Sequence, residues 1–274
     1  MDSRRSECNA CEAMNLLLNA ATAELYKSRS QAARRVTEDW ATSNLFCLAC
    51  SSDKLDTEPA NTPVRDYRCP DCGATYQLKS KNGFFGQVVQ NSAYTVKMAA
   101  IEDGRVPHYA FLQYSRSTWS VTDLFVVPGH FISAAVIQQR SPLTATARRA
   151  GWVGSNILLG RLPPDARVNV VSGGSVREPV QVRDDWRRYS FLESDDRSRG
   201  GWGADILFCI RILQQESGAR GFTLRTFYAR LKKELVSWHP ANQHVDDKIR
   251  QQLQVMRDGN VLLFLGRGRY RVIS

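Results

Sequence analysis

Residues 66–81 read DYRCPDCGATYQLKSK. Three features share this stretch: an aspartate at its start, Asp66; a Cys69-x-x-Cys72 knuckle followed by Gly73; and the run Thr75–Ser80, in which Gln77 and Lys79 alternate with Tyr76 and Leu78. β-Branched and aromatic content with period-two alternation predicts a strand, and in a strand residues 77 and 79 point to the same face. Upstream, Cys47-x-x-Cys50 is separated from Cys69-x-x-Cys72 by 18 residues. Two such pairs supply four thiolates, the ligand set of a tetrahedral Zn²⁺, and four cysteines leave no open position, so the metal is expected to be structural. Two knuckles of reduced, unliganded thiols are the competing reading.

The surrounding chain narrows the class. Its 274 residues give room for two domains, and a hydrophobic content of 43% is enough for a proper core. A net charge of +10 and a pI of about 9.5 point to an anionic partner, most commonly nucleic acid. The alternative is charge that serves solubility alone. No apolar run reaches the roughly 18 residues a membrane span needs. Met1–Glu7 is charged and polar, and Leu16–Leu18 is too short for a signal-peptide core. The expectation is therefore a cytoplasmic protein without a membrane partner, its thiols reduced. Cys8-x-x-Cys11 has no partner pair and reads as chance thiols. Cys209, on an apolar helix face, reads as a core residue.

Residues 1–22 are expected to be a loosely attached extension with an Ala/Leu segment, Ala13–Ala23, of helical character. Tyr26–Trp40 predicts a helix, Phe46–Cys72 a set of loops pinned by metal, and Asn91–Ile101 a second helix. Thr75–Ser80, His108–Ser115, Val121–Val127 and Arg167–Val171 predict strands. Residues 23–175 thus form one α/β or α+β domain. The mixed charge and paired glycines of residues 176–201 predict a linker. Residues 202–274 carry three apolar stripes at helical spacing: Ile206, Leu207, Ile210 and Leu213; Leu224, Phe227, Leu231 and Leu235, with Thr223 as N-cap; and Val245, Ile249, Leu253 and Met256. Two short strands around Gly266-Arg267-Gly268-Arg269 follow. Three helices and a basic hairpin are the pattern of a winged helix.

An aspartate, ten intervening residues, then an amide two before a lysine resembles the PD-(D/E)xK nuclease core. In that chemistry a carboxylate holds Mg²⁺ against the scissile phosphate, and the lysine orients the attacking water or stabilises the developing charge. Alone the pattern is weak, the alternative being a solvated lysine beside a turn aspartate. Longer blocks add to it: Tyr26-Lys27-Ser28, Gln31 through Trp40, the CxxC pairs, Leu78 through Lys81, Thr146 through Trp152, Lys248 through Gln254, and Gly266 through Arg271. From about residue 25 to the C-terminus these blocks resemble, in order, the DpnI-type methyl-directed restriction endonucleases. The resemblance implies a type II enzyme acting as a monomer on double-stranded DNA, cutting GATC when its adenine is N6-methylated. It implies a PD-(D/E)xK domain with the zinc site and a winged helix that also reads methylated DNA. Asp66 matches the family's metal-binding aspartate and Lys79 its catalytic lysine. Gln77 departs from the family's glutamate; Mrr-like nucleases also carry glutamine there. An amide oxygen still ligates Mg²⁺ but removes one negative charge, so the expectation is a weaker hold on Mg²⁺, with Mn²⁺ accepted. Glu38 is the nearest candidate for a supporting carboxylate; its alternative is an exposed helix charge.

For DNA reading, Arg148 and Arg149 suit phosphate or guanine contact. Trp152 beside them offers a flat apolar surface, and in the family the matching tryptophan touches the methyl groups of the site. Without the resemblance, Trp152 would be read as a core aromatic. On the third C-terminal helix Gln243, His244, Asp247, Arg250, Gln251 and Gln254 lie away from the apolar stripe, and glutamine and arginine read adenine and guanine edges. Arg267, Arg269 and Arg271 supply a basic wing. The plain alternative is a solvated polar face. No Walker loop, dinucleotide-binding glycine pattern or GxSxG elbow competes. Two rivals to the enzyme remain: a methylated-DNA-binding protein whose nuclease core is impaired at Gln77, and a zinc-containing winged-helix regulator.

Overall fold

The quoted stretch lies inside a seven-stranded mixed sheet in the computed structural model, which describes residues 14–59, 62 and 65–273. The first domain holds helices α1 (Ala20–Glu24) and α2 (Arg29–Asn44), strands β1 (Asp56–Thr57), β2 (Tyr67–Arg68), β3 (Thr75–Asn82) and β4 (Val88–Ala93), and helix α3 (Tyr94–Glu102). Strands β5 (His108–Ser115), β6 (Ser120–Val127), β7 (Ile137–Gln139), β8 (Gly154–Leu158), β9 (Val168–Ser172) and β10 (Ser175–Val176) follow. The main sheet runs β1-β2-β3-β5-β6-β9-β10, and β4-β8-β7 form a second, three-stranded sheet. Only β3 and β5 pair in parallel in the main sheet, as the intervening β4 and α3 allow; every other pair is antiparallel.

The pleat sorts side chains to two faces. Tyr76, Ala110 and Leu112 pack with Val36 and Trp40 of α2, whereas Tyr109 and Phe111 belong to the cluster that includes Ile101 of α3. Gln77 and Lys79 are the register partners of Tyr109 and Phe111, so they share the α3 face. The four expected strands are present as β3, β5, β6 and β9. Helix α3 starts at Tyr94, later than expected, because Asn91 and Ala93 pair with β8.

Two boundary expectations are corrected. Residues 14–18 are not loosely attached: Val121 donates to the Leu16 carbonyl, Leu18 donates to that of Trp119, and Trp40 Nε1 donates to that of Asn15. Leu18 is buried, and within Ala13–Ala23 the helix is confined to α1. Nor is 176–201 a free linker. Helices α4 (Pro179–Arg187) and α5 (Phe191–Ser194) occupy it, and Val182, Trp186, Tyr189 and Leu192 are buried. Four apolar side chains spaced through charged sequence give α4 and α5 a face to bury. Cys8 and Cys11 lie outside the described residues.

The C-terminal unit contains α6 (Trp202–Ser217), β11 (Gly221–Thr223), α7 (Leu224–Trp238), α8 (Val245–Asp258), β12 (Leu262–Phe264) and β13 (Arg269–Val272). All apolar stripe residues except Leu224 are buried, and Thr223 Oγ1 caps α7 by accepting the Thr226 amide. The short β11 completes a β11-β13-β12 sheet. Ile206, Leu207 and Leu253 share one buried cluster with Tyr109 and Phe111, so the two units have a common apolar junction. There Asp205 accepts from Ser133 Oγ at 2.5 Å and pairs with His239 Nε2 at 2.8 Å, while the His239 ring stacks on Trp202 at 3.8 Å. Gly201 (φ +82°) passes so close that a Cβ would meet Ser133 Cβ at 2.3 Å.

Candidate functional site

The second cysteine knuckle is the turn between β2 and β3. Cys69 donates to the Ala74 carbonyl, Gly73 donates to that of Cys69, and Gly73 takes φ +76°. Cys47, Cys50, Cys69 and Cys72 come together with their sulfurs within 4.8 Å of one another. The Sγ–Sγ separations are 3.6 Å for Cys47–Cys72 and 3.5 Å for Cys50–Cys69. A zinc tetrahedron with Zn–S bonds of 2.3 Å has edges of about 3.8 Å, so the four thiols could hold zinc with little adjustment. Burial pushes the Cys69 thiol up, but hydrogen bonds from the Cys72 and Asp71 amides and from the Cys50 and Cys72 thiols together bring the pKa down to about 7. Two groups tie this cluster to the rest. Tyr76 Oη on β3 accepts the Leu48 amide, and Arg183 on α4 donates to the carbonyls of Cys47 and Ser52.

Asp66 precedes β2 and its backbone amide donates to the Tyr76 carbonyl at 2.8 Å. That contact swings its carboxylate onto β3, where Oδ2 accepts the Leu78 amide at 2.8 Å. The carboxylate thus sits at the Gln77–Leu78 peptide, one residue before Lys79. Burial pushes the Asp66 carboxyl above its ordinary value, against the Leu78 amide and the Lys79 charge. Burial likewise pushes Lys79 below the ordinary lysine range, opposed by Asp66. Gln77 Oε1 is buried with no hydrogen-bond partner. Glu38 is close enough to raise Asp66 electrostatically, but its carboxylate is held by Arg34 at 2.6 Å and Arg35 at 3.6 Å.

One residue here escaped the sequence reading. Lys97 of α3 is completely buried, its Nζ has no hydrogen-bond partner, and it lies 5.0 Å from the centre of the Tyr109 ring. Burial and the Lys79 charge bring its pKa down to about 7. The available signal was positional: Lys97 stands four residues before Ile101, on the apolar side of a short helix.

The remaining candidates lie on two other surfaces. Between β7 and β8 the chain makes an arm, closed by backbone bonds Arg140–Gly154 and Leu143–Trp152. Arg148 and Arg149 are exposed on it; the Arg149 guanidinium lies 5.0 Å over the Trp152 ring. The half-buried indole is seated on Gly154, where a Cβ would meet it at 2.7 Å. Gln243 and His244, expected on the third helix, instead precede α8 in the turn that leads into it, His244 standing at its N-cap; both are exposed, as are Asp247, Arg250 and Gln254 on the helix, whereas Gln251 is half-buried and accepts from Lys248 Nζ. Gln252 is buried and holds Ser198 and the Arg197 carbonyl. The wing turn carries three successive positive φ values, at Gly266, Arg267 and Gly268, and leaves Arg267, Arg269 and Arg271 exposed.

A mixed sheet with helices and a four-cysteine cluster is thus joined to three helices with a basic hairpin, the make-up of a helix-turn-helix unit. The chain belongs to the DpnI family: the Dam-replacing family matches residues 14–195 and the Dam-replacing HTH domain matches residues 198–272. It is thus a methyl-directed restriction enzyme with a winged-helix C-terminus. The first match takes in residues 14–22, assigned from sequence to the extension, and the two together take in most of residues 176–201, assigned to the linker. Among the described residues, no helix is long and apolar enough to cross a membrane.

Proposed function

We propose that the protein is a type II endonuclease that hydrolyses phosphodiester bonds at GATC sites with N6-methylated adenine, using Mg²⁺. The observation that carries this reading is the convergence of Asp66, Gln77 and Lys79 at one point of β3. A carboxylate and an unpartnered amide oxygen beside a lysine suit a hard, oxygen-seeking cation. Asp66 and Gln77 would hold the Mg²⁺, which when bound polarises the scissile phosphate and lowers the pKa of water. Asp66 stays fixed by the Leu78 amide, and the ammonium form of Lys79 would stabilise charge building on the phosphate. A structural Zn²⁺ on Cys47, Cys50, Cys69 and Cys72 would pin the hairpin that aligns Asp66 with β3. Arg148, Arg149 and Trp152 form one reading surface; Gln243 and His244 in the turn before α8, Arg250, Gln251 and Gln254 on α8, and Arg267 and Arg269 of the wing form the other. The protein works as a monomer in the cytoplasm.

The replacement of glutamate by Gln77 favours a second reading, a methylated-DNA-binding protein with an impaired nuclease core. Asp66→Ala and Lys79→Ala separate the two. Under the nuclease reading both variants keep binding a methylated duplex in a mobility-shift assay and lose cleavage by at least about a hundredfold. If the natural protein binds that duplex but cuts it with neither Mg²⁺ nor Mn²⁺, the binding-only reading holds.

A further inference from the structure

The nuclease centre has an unusual charge inventory. Facing α3 it gathers one carboxylate, Asp66, one neutral amide, Gln77, and two lysines, Lys79 and Lys97. Gln77 and Tyr109 are register neighbours on that face, and Lys97 Nζ sits over the Tyr109 ring. Both Gln77 Oε1 and Lys97 Nζ are buried without a partner. Lys97 is also close enough to Lys79 to feel its charge. A buried, unpaired lysine in a core is costly, and a methionine would fill the same volume without that cost.

Resting on the nuclease reading above, we propose that Lys97 is a positioning residue of the nuclease centre, matched to Gln77, that makes a neutral amide rather than a carboxylate the working metal ligand at position 77. With Lys97 present, a carboxylate at 77 finds an ammonium in a low-dielectric pocket and closes an ion pair on it. A divalent cation must then break that pair to reach the oxygen. Gln77 avoids the trap, because its amide oxygen stays free for metal while the Lys97 side chain keeps its place over Tyr109. Position 77 and position 97 should therefore depend on each other: glutamate belongs with an apolar residue at 97, glutamine with lysine.

Mn²⁺ binding to the full-length protein, followed by electron paramagnetic resonance with uncleavable methylated duplex present, tests this on four proteins: wild type, Gln77→Glu, Lys97→Met and the double variant. Gln77→Glu alone should tighten Mn²⁺ by less than about threefold and raise the melting temperature of metal-free protein, as the new ion pair forms. In the Lys97→Met background the same substitution should tighten Mn²⁺ by about tenfold or more. Equal tightening in both backgrounds overturns the proposal and leaves the nuclease reading intact. If Lys97→Met does not fold, Gln77→Glu alone still decides, since a tenfold gain with Lys97 in place refutes the match. No Mn²⁺ binding by any of the proteins removes the metal-nuclease reading and this inference with it.

Discussion

Acid should weaken this protein through His108. The residue opens β5 and is 5% exposed, with its ring against Trp186 of α4 at 4.6 Å and Tyr76 of β3 at 5.0 Å. Its Nδ1 accepts the Gly129 amide at 2.9 Å, so the folded ring is held neutral. Burial brings its pKa from 6.5 down to about 4; Glu193 pulls it up and His130 pushes it further down. The folded state therefore binds the His108 proton more weakly than the unfolded chain does. Stability from this group is fully present above pH 6.5 and is lost as pH falls toward 4. The full effect is about 3 kcal/mol, of which about 2 kcal/mol is gone by pH 5. His108→Asn keeps an acceptor for Gly129 but removes the titration. It is smaller and so less stable at pH 7, which makes the pH slope the diagnostic quantity. Urea unfolding followed by tryptophan fluorescence at pH 7 and pH 5, in zinc-containing buffer, should show wild type losing about 2 kcal/mol more than the variant. Groups that titrate in this range without touching His108 are common to both proteins and cancel. Parallel losses would refute the reasoning and place the acid sensitivity elsewhere.

Elemental analysis should find one zinc per chain, and Cys47→Ser should reduce it well below one and abolish cleavage, because the hairpin joining Asp66 to β3 loses its pin. Full zinc retention by that variant would count against the four-cysteine site. Arg269→Ala should weaken binding to methylated and unmethylated duplexes alike and lower the slope of log affinity against log salt by about one, as expected for a lost phosphate contact. An unchanged slope would remove the wing from the DNA surface.

What could be read from sequence depended on how local the determinant was. Strands β3, β5, β6 and β9 carry their own alternation, the cysteine spacing carries its own metal geometry, and the α8 stripe repeats within one helix. Each was therefore visible. Residues 14–18 were misjudged because their order comes from pairing with residues more than a hundred positions on, at Trp119 and Val121. The packed α4 was hidden because Val182 and Trp186 sit among charges, and Arg183 finds its carbonyl acceptor at Cys47, 136 residues away. At the site, the spacing of Asp66, Gln77 and Lys79 was a weak signal that gained weight only from the longer blocks around it, and Lys97 gave none, since a lysine on a helix is ordinarily solvated and the packing of α3 over Tyr109 buries it. The Ser133–Asp205–His239 junction has no sequence signature, because its members converge only after the two units dock.

The central claim is methyl-directed cleavage at Asp66, Gln77 and Lys79. The most direct measurement uses two synthetic duplexes that are identical except for N6-methylation of both adenines in a single GATC, incubated with the full-length protein and Mg²⁺ or Mn²⁺. The account predicts that the methylated duplex is cut within GATC, that the unmethylated one stays intact, and that Lys79→Ala abolishes the product. Equal cutting of both duplexes, or cutting that survives Lys79→Ala, would contradict it.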